Sequence, residues 1–104
     1  MDMAEKMFDL ADELDIKRKY RFAEQLRSAA LSISNNIAEG SGSSSKAEFK
    51  RFLNFSHRSI SETANMLILS FRKDYINQDI KQCYLSELEE ISMMITGFSK
   101  TLHG

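Results

Sequence analysis

Gly40-Ser41-Gly42-Ser43-Ser44-Ser45-Lys46 comes nearest in this chain to a chemical motif, a glycine-rich loop that cradles phosphate. Its pattern does not fit a nucleotide loop. It lacks the Gly-Lys-Ser/Thr ending, and it follows a helical pattern rather than a strand. A helix start beside Lys46 and Lys50 can still hold a phosphate group, because its first amides have no partner inside the helix. The bland reading of the same stretch is a polar linker. Asn36 and Glu39, one turn from the end of the preceding helix, could look catalytic. Residues so placed more often cap the helix or bond to a neighbour, and Glu39 with Arg51 or Arg58 is the expected pair. Glu62 is expected to act similarly, fixing register on an inner edge. A di-iron bundle needs paired Glu-x-x-His motifs, and neither His57 nor His103 has a Glu three residues earlier. The lone Cys83 and the two isolated histidines are expected to be surface and packing residues. No Ser/His/Asp or Cys/His arrangement can be assembled. The chain is therefore expected to be a non-enzyme, with no metal and no cofactor.

Four apolar stripes position these residues. Met3, Met7, Leu10 and Leu14 recur at 4-3-4 spacing, which is one face of a helix. Phe22, Leu26, Ala29, Ile33 and Ile37 form a second stripe. Phe49, Leu53, Ser56, Ile60, Thr63 and Leu67 form a third, polar in its middle. Tyr84, Leu88, Ile91, Ile95, Phe98 and Leu102 form the fourth. The spacing predicts helices near 2–14, 18–39, 45–73 and 79–103. Gly40 suits a left-handed position just after the second helix, because it has no Cβ to clash. Ser45-Lys46-Ala47-Glu48 has capping-box form, in which the Ser45 hydroxyl accepts the Glu48 amide and the Glu48 carboxylate reaches back to Ser45. Asn77 or Asp79 is the expected cap of the fourth helix. Short connections make successive helices antiparallel. The fold class is therefore all-α: an antiparallel up-down-up-down four-helix bundle with a short first helix, in one domain over residues 1–104.

Composition agrees. Proline is absent and glycine totals 4, which favours long helices over a turn-rich sheet. The longest apolar string, Met66-Leu67-Ile68-Leu69, is far too short for a membrane span, so no membrane contact is expected. The acidic start is not a signal peptide, and a single cysteine suits a cytoplasmic setting. The net charge of −1 hides a partition: residues 1–15 carry −5, residues 17–73 carry +7 and residues 74–104 carry −3. Either acidic and basic helices attract one another within one bundle, or the middle of the chain presents a basic face to phosphates.

Helix lengths carry a further consequence. The third helix spans roughly 40 Å and the first roughly 20 Å, so the short one cannot cover the whole groove. The third helix also bears a second apolar row, Phe52, Phe55, Ser59, Met66 and Leu69. That row is either buried within the monomer or meets another subunit. Self-association is the favoured reading for a domain this small.

Gln25-Leu26-Arg27-Ser28-Ala29-Ala30, Ser32-Ile33, Asn36-Ile37-Ala38-Glu39-Gly40, Ser45-Lys46-Ala47-Glu48-Phe49-Lys50-Arg51-Phe52-Leu53 and Arg58-Ser59-Ile60-Ser61-Glu62 resemble a bacterial four-helix-bundle family. Its members include proteins encoded within intervening sequences of large-subunit ribosomal RNA, historically called S23 ribosomal proteins. The chain is also similar to the accessory variability protein of diversity-generating retroelements. The resemblance implies a bundle and a ring-like homo-pentamer. In the retroelement branch it also implies a basic surface that binds nucleic acid and a reverse transcriptase. Two features differ from the family pattern: Ser34 stands where the family often has Pro, and this chain is not strongly basic.

Two functions compete, with an enzyme whose pocket lies between helices as a remote third. In the first, a cytoplasmic oligomeric scaffold associates with RNA, DNA or a ribonucleoprotein through Lys17, Arg18, Lys19, Arg21, Lys46, Lys50, Arg51 and Arg58. Few aromatics interleave with these bases, so contact is expected mainly with phosphates. In the second, a protein-only adaptor uses an apolar face of the third helix, with Phe52, Phe55, Met66 and Leu69 as the interface.

Overall fold

The computed structural model describes residues 2–102, and every regular element in that span is helical. Helix α1 runs Asp2–Ile16, α2 Tyr20–Ser41, α3 Lys46–Arg72 and α4 Gln78–Ser99. His103 lies outside the described residues. The first three helices fall within two residues of their expected bounds. The fourth stops four residues early, because its last turn tightens: the amides of Thr101 and Leu102 bond to the carbonyls of Phe98 and Ser99, and Thr101 Oγ1 also donates to Phe98 O.

The bundle measures 46 × 20 × 19 Å. Successive helices pack in antiparallel pairs, α1 on α2, α2 on α3 and α3 on α4. Helix α1 closes onto α4 through the Lys6–Glu87 ion pair and a hydrogen bond from the Tyr84 hydroxyl to Lys6 O. Met7, Leu14, Leu26, Ile33, Leu67 and Leu88 are the largest buried apolar side chains and come from all four helices. Removing a Leu such as Leu26 to Ala is worth roughly 2–5 kcal/mol at such sites. The polar middle of the third stripe has a structural reason. Ser56, Ser59 and Thr63 are buried on α3. Ser56 Oγ donates to Ile33 O at 3.1 Å, Ser59 Oγ to Ser32 Oγ at 2.6 Å and Thr63 Oγ1 to Ser59 O at 2.8 Å. These small side chains let α2 and α3 approach closely while each of the three hydroxyls stays bonded.

Gly40 does not occupy the left-handed C′ position. It lies inside α2, is buried, and no glycine among the described residues has positive φ. A Cβ built there would meet Phe49 Cδ1 at 2.8 Å and Phe52 Cβ at 3.1 Å. Close helix approach, not backbone conformation, selects glycine. The helix instead ends at Gly42 with φ −92°. The left-handed residues are Arg18 and Asp74, both at φ 62°. Each is the C′ residue of a Schellman ending. The Arg18 and Lys19 amides bond to Asp15 O and Leu14 O, and the Asp74 and Tyr75 amides bond to Phe71 O and Ser70 O. A side chain in this region costs about 1–2 kcal/mol, partly offset by the roughly 0.4–1 kcal/mol that glycine adds to unfolded-state entropy. Arg18→Gly and Asp74→Gly are therefore expected to leave thermal stability equal or up to about 1 kcal/mol higher. A clear drop in melting temperature for both would contradict the turn assignment.

Candidate nucleic-acid interface

The up-down topology brings the α1–α2 turn and the α3–α4 turn to one end of the bundle, and the contacts lock them together. Lys17 Nζ donates to Tyr75 O at 2.7 Å, Lys19 Nζ sits 4.6 Å from the Tyr75 ring centre, and Phe22 meets that ring edge-on at 5.1 Å. Ile76 is buried beneath. Lys17, Arg18, Lys19 and Arg21 thereby join Arg72 and Lys73, with Lys81 held over the Phe71 ring at 4.1 Å. Arg72, Lys73 and Lys81 were not singled out from the sequence. Their signal was topological: the turns after the first and third helices of such a bundle must share an end.

Local stability does not favour this placement at the α2 start. A helix N-terminus is stabilised by an acceptor cap and by acids in its first turn. Helix α3 has both, with Ser45 Oγ accepting the Glu48 amide at 3.1 Å. Helix α4 has both, with Asn77 Oδ1 accepting the Ile80 amide at 2.8 Å and Asp79 following. Helix α2 has neither: Lys19 makes no cap bond and the first turn holds no acid. Four bases crowd a positive helix end instead. Arg18, Arg21, Arg72 and Lys73 are exposed and without an ion-pair partner among the described residues.

Lys46, Lys50, Arg51 and Arg58 lie towards the opposite end, so the eight basic residues do not form one patch within a monomer. Lys46 and Lys50 are exposed. The Arg51 guanidinium lies 5.5 Å from the Phe52 ring and 5.8 Å from that of Phe55, and the Arg58 guanidinium also lies 5.8 Å from the Phe55 ring. The expected pairing of Glu39 with Arg51 or Arg58 does not form. Arg51 reaches Glu48, one turn away on its own helix, at 3.9 Å. Glu48 thus supplies only its amide to the capping box while its carboxylate turns to Arg51. Asn36 Nδ2 bonds within its helix, to Ser32 O at 2.8 Å. Glu62 is exposed and lines the α2–α3 groove with Asn36 and Arg58, so the buried serines, not Glu62, sit at the inner seam.

The second apolar row is divided. Phe52 and Phe55 are half-buried, edge-to-face at 6.0 Å, and Phe52 packs against Gly40. Met66 is half-buried and Leu69 is 42% exposed. A separate apolar groove of about 380 Å³ opens between α2, α3 and α4 with no α1 residue in its lining, which is Ile37, Phe49, Leu53, Ile91, Met94, Ile95 and Phe98. This is the uncovered groove that the short first helix implied.

Arg27 is withdrawn from the surface charge. Its Nη2 donates to Asp12 and Asp15, each at 2.6 Å, and these hydrogen bonds, Asp15 first, raise its pKa. Burial, aided by the nearby Glu13 carboxylate, raises the Tyr84 hydroxyl. His57 faces Ser92 and Thr96 through its two ring nitrogens, and Cys83 is exposed. Among the described residues no three His, Cys, Asp or Glu side chains cluster to hold a metal, and no helix is long and apolar enough to cross a membrane.

The sequence pattern of the 23S rRNA-intervening sequence protein family matches residues 1–97. The fold is similar to that of a protein of unknown function from the S23 ribosomal protein family of Bacteroides thetaiotaomicron, with a TM-score of 0.91 and 25% identity over 95% of this chain and 93% of that one. No curated protein matches the sequence. With the match spanning all four helices almost to the end of α4, the chain belongs to the 23S rRNA-intervening sequence protein family.

Proposed function

We propose that this protein is a non-enzymatic, cytoplasmic, self-associating scaffold that contacts RNA phosphates through the end where its basic α1–α2 turn meets Arg72 and Lys73. The observation that carries the reading is the crowding of Lys17, Arg18, Lys19 and Arg21 at an uncapped helix start, beside Arg72 and Lys73. These bases oppose the helix dipole, and a bound polyanion relieves that repulsion. The family's link to intervening sequences of 23S rRNA supports RNA as the polymer. Self-association is supported by the open apolar groove between α2, α3 and α4, and a pentamer is the size the family resemblance implies. A reverse transcriptase or ribonucleoprotein partner belongs to the same reading.

Retention on immobilised RNA is expected at about 50 mM salt and should fade towards about 200 mM, because phosphate contacts release counterions. No retention at the lower salt would refute the RNA reading. Light scattering is expected to give a mass several times the 11.9 kDa monomer. Phe55→Asp should lower that mass if its row is the interface, since the new carboxylate would be desolvated there. A wild-type monomer at micromolar concentration would refute self-association. The protein-only adaptor is the second reading, favoured by the wholly apolar lining of the groove. It predicts capture of a partner that persists at high salt.

A further inference from the structure

The basic end carries an aromatic side chain that the bundle does not use. Tyr20, the first residue of α2, is 58% exposed and has no ring or hydrogen-bond partner among the described residues. The other two tyrosines are engaged: Tyr75 by Phe22 and Lys19, Tyr84 by the Lys6 carbonyl. Tyr20 stands between Lys19 and Arg21 in the chain, and Ile16, 81% exposed, ends the helix just before the turn. Phosphate-binding side chains at the same bundle end as a free aromatic ring are the two parts of a single-strand site. The charges follow the backbone and the ring stacks on an unpaired base. An A-form duplex offers the charges the same phosphates, but its bases are already stacked on one another and its major groove admits no side chain.

We propose that this end selects single-stranded over double-stranded RNA, with Tyr20 as the stacking platform for one base. The inference rests on the RNA reading above and adds to it the strandedness of the ligand and the residue that reads it. Tyr20 is exposed, so its replacement leaves the core intact.

The test compares an unstructured oligouridylate of about 20 nucleotides with an RNA duplex of equal phosphate count, both labelled and followed by fluorescence anisotropy at about 50 mM salt. Tighter binding of the single strand is expected. Tyr20→Ala should weaken single-strand binding by roughly 5- to 150-fold and leave duplex binding almost unchanged, and Tyr20→Phe should restore it. Equal affinity for both RNAs, with Tyr20→Ala silent and the salt dependence intact, would overturn the inference while the RNA reading stands. Binding of neither RNA would overturn both. Tighter binding to phosphatidylserine vesicles than to either RNA would also overturn it, in favour of a lipid surface.

Discussion

Replacing Gly40 with valine is expected to destabilise the bundle by about 2–4 kcal/mol, the largest stability effect of any glycine change here. The new Cβ would lie 2.8 Å from the Phe49 ring and 3.1 Å from Phe52 Cβ. The Phe49 ring can swing aside, but Phe52 Cβ moves only with the α3 backbone. Either α2 and α3 part at this level, opening voids beside Leu53, or Phe49 leaves its contact with Phe98, now 5.2 Å between ring centres. Overpacking of this kind costs about 1–3 kcal/mol, and the γ-methyls of valine add to it. Two other glycines calibrate the result. Gly42→Val should cost little, since the nearest atoms to its Cβ lie at 3.8 Å. Gly97→Ala should stabilise by about 0.5–1 kcal/mol, because Gly97 is inside α4 with nothing within 4 Å of the added methyl and glycine only weakens the helix there. Thermal denaturation of the three variants checks the ordering. A Gly40→Val protein that melts with wild type would contradict the close approach of α2 and α3.

What could be read from the chain follows from the range of the signal. Each helix announced itself because its buried face repeats every three or four residues. The Ser45 cap was legible, and the fourth helix's cap narrowed to Asn77 or Asp79, because a cap is a contact three residues long. The role of Gly40 was not, since glycine at a helix end looks the same whether it supplies positive φ or room for a neighbour. Only the position of Phe49 and Phe52 decides between these. Conversely, residue type did not mark Arg18 as left-handed and marked Asp74 only weakly, because the Schellman bonds hold both there. The candidate site was half legible. The basic run at 17–21 was visible, but its junction with Arg72 and Lys73 needed the two turns in contact through Tyr75. Of the two partners expected for Glu39, Arg51 reaches Glu48 one turn away on its own helix instead.

The double variant Arg18→Gly with Arg21→Glu is expected to bind RNA about 100-fold more weakly at about 50 mM salt. Each phosphate contact with a single strand contributes about 0.7 to the salt slope, which over the roughly 1.3 decades from 50 mM to 1 M is close to tenfold per contact. Two contacts are lost. The same changes should not unfold the protein. Arg18→Gly relieves a left-handed side chain, and Arg21→Glu places an acid in the first turn of α2, worth about 0.3–1 kcal/mol. Lower affinity with equal or higher melting temperature would separate binding from stability. Glutamine at Lys46 and Lys50 is expected to change affinity far less, because those bases lie at the other end of the bundle.

The most direct test is the salt dependence of RNA affinity for wild type and for that double variant, measured between about 50 and 200 mM salt. If the two-turn end holds four to six phosphates, log K for wild type should fall linearly against log salt with a slope of about −3 to −4. The variant's slope should be shallower by about 1.4, with its helicity and melting temperature preserved. A wild-type affinity that does not change with salt, or a variant that matches wild type in both affinity and slope, would contradict the assignment of RNA contact to this end.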